Sequence, residues 1–135
     1  MASETFVDTS GFYALLVKAD DSHQKAADYI RNSAGKRRFI TTDYVLDETA
    51  TLLKARRHGD VIKPFFDIVL KSEVCRVRWM EPDLFSEAVS FFLKHGDHDY
   101  SFTDCVSFVV MRKERITTAL TKDTHFHQAG FDALL

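Results

Sequence analysis

Short apolar runs of strand length alternate along this chain with longer segments of helical periodicity, and that alternation constrains its fold more than any other feature. Residues 5–7, 39–42, 74–80 and 118–121 read as strands, each a few residues long and rich in Val, Ile, Phe and Thr. Between them, residues 11–18, 22–32, 44–57, 61–71, 84–95 and 103–113 carry helical patterns, and a further turn of helix is expected near Phe126. Strands that recur only after a helix cannot pair as tight hairpins. They pair in parallel, with the helices packed on the sheet faces. The expected fold class is therefore α/β: a three-layer α/β/α sandwich around a central, mostly parallel sheet.

Local signals fill in this frame. Thr9 or Ser10 can cap the first helix. Val45, Thr49, Leu52 and Leu53 form one stripe of the third, with Gly59 following as a stop. In residues 84–95 the inner face is expected to hold Phe85, Ala88, Val89, Phe92 and Leu93, and residues 131–135 read as a closing apolar tail. No repeat, low-complexity tract or linker divides the 135 residues, so one domain over 1–135 is expected. At 45% hydrophobic residues the chain can bury a core without disulfides or a structural metal.

Charge and cysteine usage narrow the function. Lys and Arg number 18 against 20 Asp and Glu, a net charge of -2 that argues against gripping nucleic acid through bulk positive charge while leaving local patches open. Cys75 and Cys105 form no CxxC pair, which makes a zinc site or a disulfide framework improbable and points to a reducing compartment. Met1-Ala2-Ser3-Glu4 has no basic leader character, and no apolar stretch is long enough to span a bilayer. A cytoplasmic protein with no membrane association is expected.

Four carboxylates stand out by position. Asp8 and Asp123 each follow an apolar strand at its carboxyl end, where ligands bind in parallel sheets. Either could instead be a turn or helix-capping residue. Glu48 lies three residues after Val45 and four before Leu52, on the apolar face of its helix. There it must be paired or bound to a cation, and a salt bridge to Arg is the structural alternative; its neighbour Asp47 points to solvent. Asp104 occupies the first turn of a helix in Ser101-Phe102-Thr103-Asp104, a spacing that also fits a capping box. Four carboxylates drawn together repel unless a divalent cation neutralises them, and hard oxygen ligands favour Mg²⁺ or Mn²⁺. Such a site can activate water against a phosphodiester, with one metal or two about 4 Å apart.

The segments Phe6-Val7-Asp8-Thr9-Ser10, Val45-Leu46-Asp47-Glu48, Tyr100 to Cys105 and Ala119 to Phe126 resemble, in order and spacing, the four motifs of PIN-domain ribonucleases. They are most similar to the VapC type, the toxin half of toxin–antitoxin pairs. The resemblance covers nearly the whole chain. It implies a PIN-like sandwich and Mg²⁺- or Mn²⁺-dependent endonucleolytic cleavage of RNA. Asp8, Glu48, Asp104 and Asp123 would be the catalytic, metal-binding acids, with Thr9, Ser10 and Thr121 in supporting positions. Asp99 matches an additional acid of some relatives. A homodimer and a small cognate antitoxin are the implied protein partners.

Positive charge for an RNA substrate could come from Lys36-Arg37-Arg38, Lys54-Arg56-Arg57-His58 or Arg112-Lys113-Arg115, all of which also read as ordinary solvated surface. Lys122, beside Asp123, is better placed to reach a phosphate. The six His show no partner set typical of zinc and stand outside the expected site. Phe12, Tyr13 and Leu16, and the run Phe65, Phe66, Ile68 and Val69, could exceed what the core absorbs and form an antitoxin groove or a dimer face. A haloacid-dehalogenase-like phosphatase would need an Asp where Ser10 stands. A response-regulator receiver would need an acid pair near Asp8 and leaves Glu48 unexplained. The remaining alternative is a catalytically silent PIN-like module that binds RNA or protein, for which four mutually repelling acids have no physical reason.

Overall fold

A computed structural model describes residues 3–135. The elements follow in the order β1 (Ser3–Val7), α1 (Thr9–Leu16), α2 (His23–Ser33), β2 (Arg37–Thr42), α3 (Asp43–Ala55), a 3-10 turn (Gly59–Val61), α4 (Ile62–Lys71), β3 (Cys75–Arg78), α5 (Pro82–Lys94), α6 (Phe102–Lys113), β4 (Thr118–Leu120), α7 (Thr124–Gln128) and β5 (Asp132–Ala133). The five strands form one sheet in the order β3-β2-β1-β4-β5, and every pairing is parallel. The α/β class is thus observed, with a wholly parallel sheet flanked by helices.

This strand order positions the site. From β1 the chain builds outward through β2 to β3, then returns to the other flank of β1 with β4. The order reverses between β1 and β4, so their carboxyl ends splay apart into a crevice, as at the ligand sites of open α/β sheets. Register places Val7 opposite Leu120, so the residues immediately after them, Asp8 and Thr121, emerge side by side. The sheet interior is the core: Phe6, Val7, Ile40, Ala119 and Leu120 are essentially inaccessible, covered by Phe12, Leu53, Phe65, Phe108 and Phe126.

Gly11 makes the close packing of α1 possible. A Cβ there would lie 2.1 Å from the backbone oxygen of Leu120, so only glycine lets the first turn of α1 rest against the end of β4.

Several local readings change. Thr9 and Ser10 lie inside α1, while Asp8 takes the N-cap position with extended backbone and a side chain that makes no cap bond. Helix α3 ends at Ala55, and Arg57, not Gly59, adopts the positive φ (63°) that reverses the chain. Gly59 instead opens the 3-10 turn. The inner face of α5 is Leu84, Ala88 and Phe91, whereas Phe85, Phe92 and Leu93 are exposed. Apolar residues ring this helix, so periodicity alone cannot choose the buried side. Residues 132–133 of the closing tail pair with β4 as a fifth strand too short to carry a periodic signal. Phe12 and Phe65 are absorbed by the core as an edge-on pair 5.2 Å apart, and of that aromatic-rich stretch Ile68 is prominently exposed.

Candidate active site

Each of the four acids is delivered by a different element. Asp8 leaves β1 and is buried (4% exposed); its N–H donates to the Leu120 carbonyl at 3.3 Å, and its Oδ2 accepts from the Thr121 hydroxyl at 2.9 Å. Glu48 projects from α3, half-buried, and its Oε1 accepts from the Thr9 hydroxyl at 2.5 Å. Asp104 enters from the first turn of α6, where the expected capping box is present: Ser101 N–H donates to Oδ2 at 3.1 Å and Ser101 Oγ accepts from Asp104 N–H at 3.0 Å. Asp123 follows β4 as the N-cap of α7 and accepts from the His125 N–H at 2.9 Å. Capping and site placement therefore coexist. A carboxylate has about four lone-pair positions, and one cap bond leaves the others free.

The small hydroxyl residues of α1 and Thr121 bond three of these acids, Asp8, Glu48 and Asp123. Ser10 Oγ accepts from the Lys122 N–H at 2.9 Å and meets Thr121 Oγ1 at 3.0 Å. Thr121 in turn bonds Asp8 and accepts from the Asp123 N–H at 3.0 Å. Asp8, Glu48 and Asp123 line an open cleft of about 350 Å³ together with Tyr13, Arg56 and Lys122.

The electrostatics are those of acids buried close to one another. Burial, reinforced by the nearby charges of Asp104 and Asp123, pushes the Asp8 carboxyl up to about 7 despite hydrogen bonds from Thr9 and Thr121. Burial also raises Asp104, with the charges of Asp123 and Glu48 adding to it. Among the described residues no Lys or Arg pairs with any of the four, so the salt bridge considered for Glu48 is replaced by the Thr9 hydrogen bond. Desolvated, closely spaced oxygen donors without a Lys or Arg partner suit a hard divalent ion.

Asp47 is exposed, as expected. Asp99 is exposed in the loop between α5 and α6, and the cleft lining does not include it. Lys122 reaches across to Asp20 and Asp21, its Nζ 3.3 and 2.5 Å from their carboxylates, which raises its own pKa. Of the three basic clusters, the one at residues 54–58 reaches the cleft through Arg56, whose guanidinium lies 5.0 Å from the Tyr13 ring centroid. The residue that sequence reasoning passed over is His125. Its Nδ1 lies 3.0 Å from Asp123 Oδ1 and 3.4 Å from Asp104 Oδ2. The available signal was its position two residues after a strand-end acid, in the same turn.

Comparison with known proteins agrees with this geometry. Residues 5–132 match the PIN domain family. The chain is 39% identical over 127 residues to the 23S rRNA-specific endonuclease VapC20 of Mycobacterium tuberculosis, covering 93% of this chain and 94% of that one. The crystal structure of Mycobacterium tuberculosis VapC20, described as a Sarcin-Ricin loop cleaving toxin, superposes with a TM-score of 0.85 at 36% identity over 96% of both chains. VapBC2 from Rickettsia felis shares the fold at a TM-score of 0.70 and 13% identity, again over 96% of both chains. The chain belongs to the PIN-domain family and, within it, to the VapC-type endoribonuclease toxins.

Proposed function

We propose that this protein is a metal-dependent endoribonuclease that cleaves 23S ribosomal RNA, with Asp8, Glu48, Asp104 and Asp123 as its catalytic acids. What supports the reading is that Asp8, Glu48 and Asp123 line one cleft, with Asp104 beside Asp123 at its edge and none of the four paired with Lys or Arg, in a chain 39% identical to a 23S rRNA-specific endonuclease. The bound ion is Mg²⁺ or Mn²⁺. When bound, it supplies an activated water and neutralises charge developing on the phosphodiester. The protein's own groups set the donors: Thr121 and Ser10 orient Asp8, Thr9 orients Glu48, and the Ser101 capping box orients Asp104.

Arg56 and Lys122, on the walls of the same cleft, are the side chains placed to meet the RNA backbone. An RNA loop such as the sarcin-ricin loop suits a cleft that is open and only locally basic. The protein acts in the cytoplasm as a homodimer and is held inactive by a small cognate antitoxin.

Incubation of intact ribosomes with the purified chain tests this, in Mg²⁺, Mn²⁺ or EDTA, with the cut mapped by primer extension. A single metal-dependent break in the sarcin-ricin loop, absent with Asp8→Asn, is expected. Metal-independent cutting, or equal cutting by Asp8→Asn, defeats the assignment.

A further inference from the structure

We propose that His125 is itself a metal ligand of this site, giving the cation one nitrogen donor beside the oxygens of Asp104 and Asp123. The inference rests on the metal-dependent reading above and adds to it a ligand of a different chemical class.

The first observation is an orphaned atom. His125 Nδ1 is sealed from solvent, yet it has no hydrogen-bond partner. Two carboxylate oxygens lie near it, Asp123 Oδ1 at 3.0 Å and Asp104 Oδ2 at 3.4 Å, but neither sits where an imidazole N–H would point. Hydrogen-bond distance without hydrogen-bond direction is the arrangement that neighbouring ligands of one ion adopt. In an octahedron with bonds of about 2.1 Å, adjacent donors are separated by about 3 Å and each lies roughly 45° off its neighbour's lone-pair axis. The three donor atoms all fall within 4.8 Å of one another, close enough to share one ion.

The second observation is that all three donors are held in place by contacts independent of a metal. The His125 ring stands edge-on to Tyr100 at 5.6 Å, and Tyr100 is wedged against Phe108 at 5.0 Å. Asp104 is fixed by the Ser101 capping box, and Asp123 by the backbone N–H of His125 itself. Each acid oxygen keeps a lone pair beyond its cap bond. An imidazole at an otherwise all-oxygen site shifts its preference from Mg²⁺ toward Mn²⁺ and the later first-row ions.

The test reads the bound ion directly. Mn²⁺ is added to the purified full chain, its affinity is measured by calorimetry, and pulsed EPR records coupling of the electron spin to ¹⁴N. Nitrogen coupling is expected in the wild type and should vanish in His125→Asn, whose side-chain oxygen can take the place of Nδ1. His125→Ala should weaken Mn²⁺ binding at least about tenfold, the scale on which even outer-shell partners act. Its effect on Mg²⁺ should be smaller. Because the wild-type spectrum needs no variant, the proposal stays testable even if Ala at 125 disturbs the packing on Tyr100. Bound Mn²⁺ without nitrogen coupling, or coupling that persists in His125→Asn, overturns the role of His125 and leaves the carboxylate site standing. Failure of the wild type to bind Mn²⁺ overturns both.

Discussion

The two ends of β1 treat carboxylates in opposite ways. At its start, Glu4 is gripped by Arg76 through two hydrogen bonds of 2.7 and 2.9 Å, and Arg76 also bridges Glu114 at 3.1 Å. The Glu4 carboxyl is held below its ordinary range by that guanidinium. Just past the other end, Asp8 has no basic partner and is pushed up to about 7 by burial. The chain therefore has arginines to spend on acids and uses them at the β1/β3 side of the sheet, not at the crevice. A buried, uncompensated acid just past one end of a strand whose other end is compensated is the kind of perturbed group that clusters at functional sites.

Replacing Asp8 by Asn should break this contrast with the largest effect. The amide keeps an acceptor for Thr121 and Thr9 while removing the buried charge. Cleavage of ribosomal RNA should fall at least about a hundredfold, the upper end of what even outer-shell metal partners contribute. Thermal stability of the metal-free protein at pH 8 should rise.

The pH dependence follows with a definite sign. The folded state holds the Asp8 proton up to about 7, whereas the unfolded chain releases it near 3.8. The stabilising contribution of the protonated carboxyl is complete below the unfolded value and lost as pH climbs through the folded one. Urea melts of the metal-free protein should show stability declining by up to a few kcal/mol between about pH 4 and pH 7. Saturating Mn²⁺ should flatten that slope, and so should Asp8→Asn. A wild-type slope identical to the variant's would mean that Asp8 does not carry the buried charge.

Local patterns are legible in a sequence, and contacts between distant segments are not. Alternation of strands and helices, and the order of the four acids, were legible because each is a local pattern. Sheet order is not local. That β4 returns to the flank of β1, bringing Thr121 against Asp8 across 113 positions, depends on packing over the whole sheet. The placement of His125 is not local either. One of its two carboxylate neighbours is 21 residues away, and a search for zinc-type His and Cys spacing does not find a mixed oxygen–nitrogen set. The buried face of α5 is not legible in the sequence because Leu84, Phe85, Phe91 and Phe92 make two apolar sides, and contact with α6 selects between them. Lys122 is legible as a residue beside the site, but its partners Asp20 and Asp21 lie 102 and 101 positions away in the sequence and are found only in three dimensions.

Gly11→Ala sharpens the comparison at the crevice without touching a charge. The added methyl meets the Leu120 carbonyl at 2.1 Å, a backbone atom that cannot rotate away. Relief requires α1 to move off β4, at about 1–3 kcal/mol for overpacking of this kind. Because Asp8 and Thr9 lie at the start of α1, the same movement shifts two of the groups that frame the site. A lowered melting temperature together with reduced cleavage and weakened Mn²⁺ binding is expected. Loss of stability with an unchanged metal affinity would show that the β1/β4 contact supports the fold alone.

Arg76→Ala tests the paired end of β1, where the smallest effect is expected. The Glu4–Arg76–Glu114 network is solvent-accessible, with the Arg76 side chain 47% exposed, so screening by water and salt limits its worth. A loss of roughly 1 kcal/mol or less, shrinking further at high salt, is the expected outcome of denaturant titration. Cleavage and Mn²⁺ affinity should not change, since Arg76 pairs with Glu4 and Glu114, both outside the crevice, and contributes no donor to it. If cleavage were instead to fall with Arg76→Ala while the fold persisted, the two ends of β1 would be coupled. The paired carboxylates would then have to be counted among the groups that set the charge of the site.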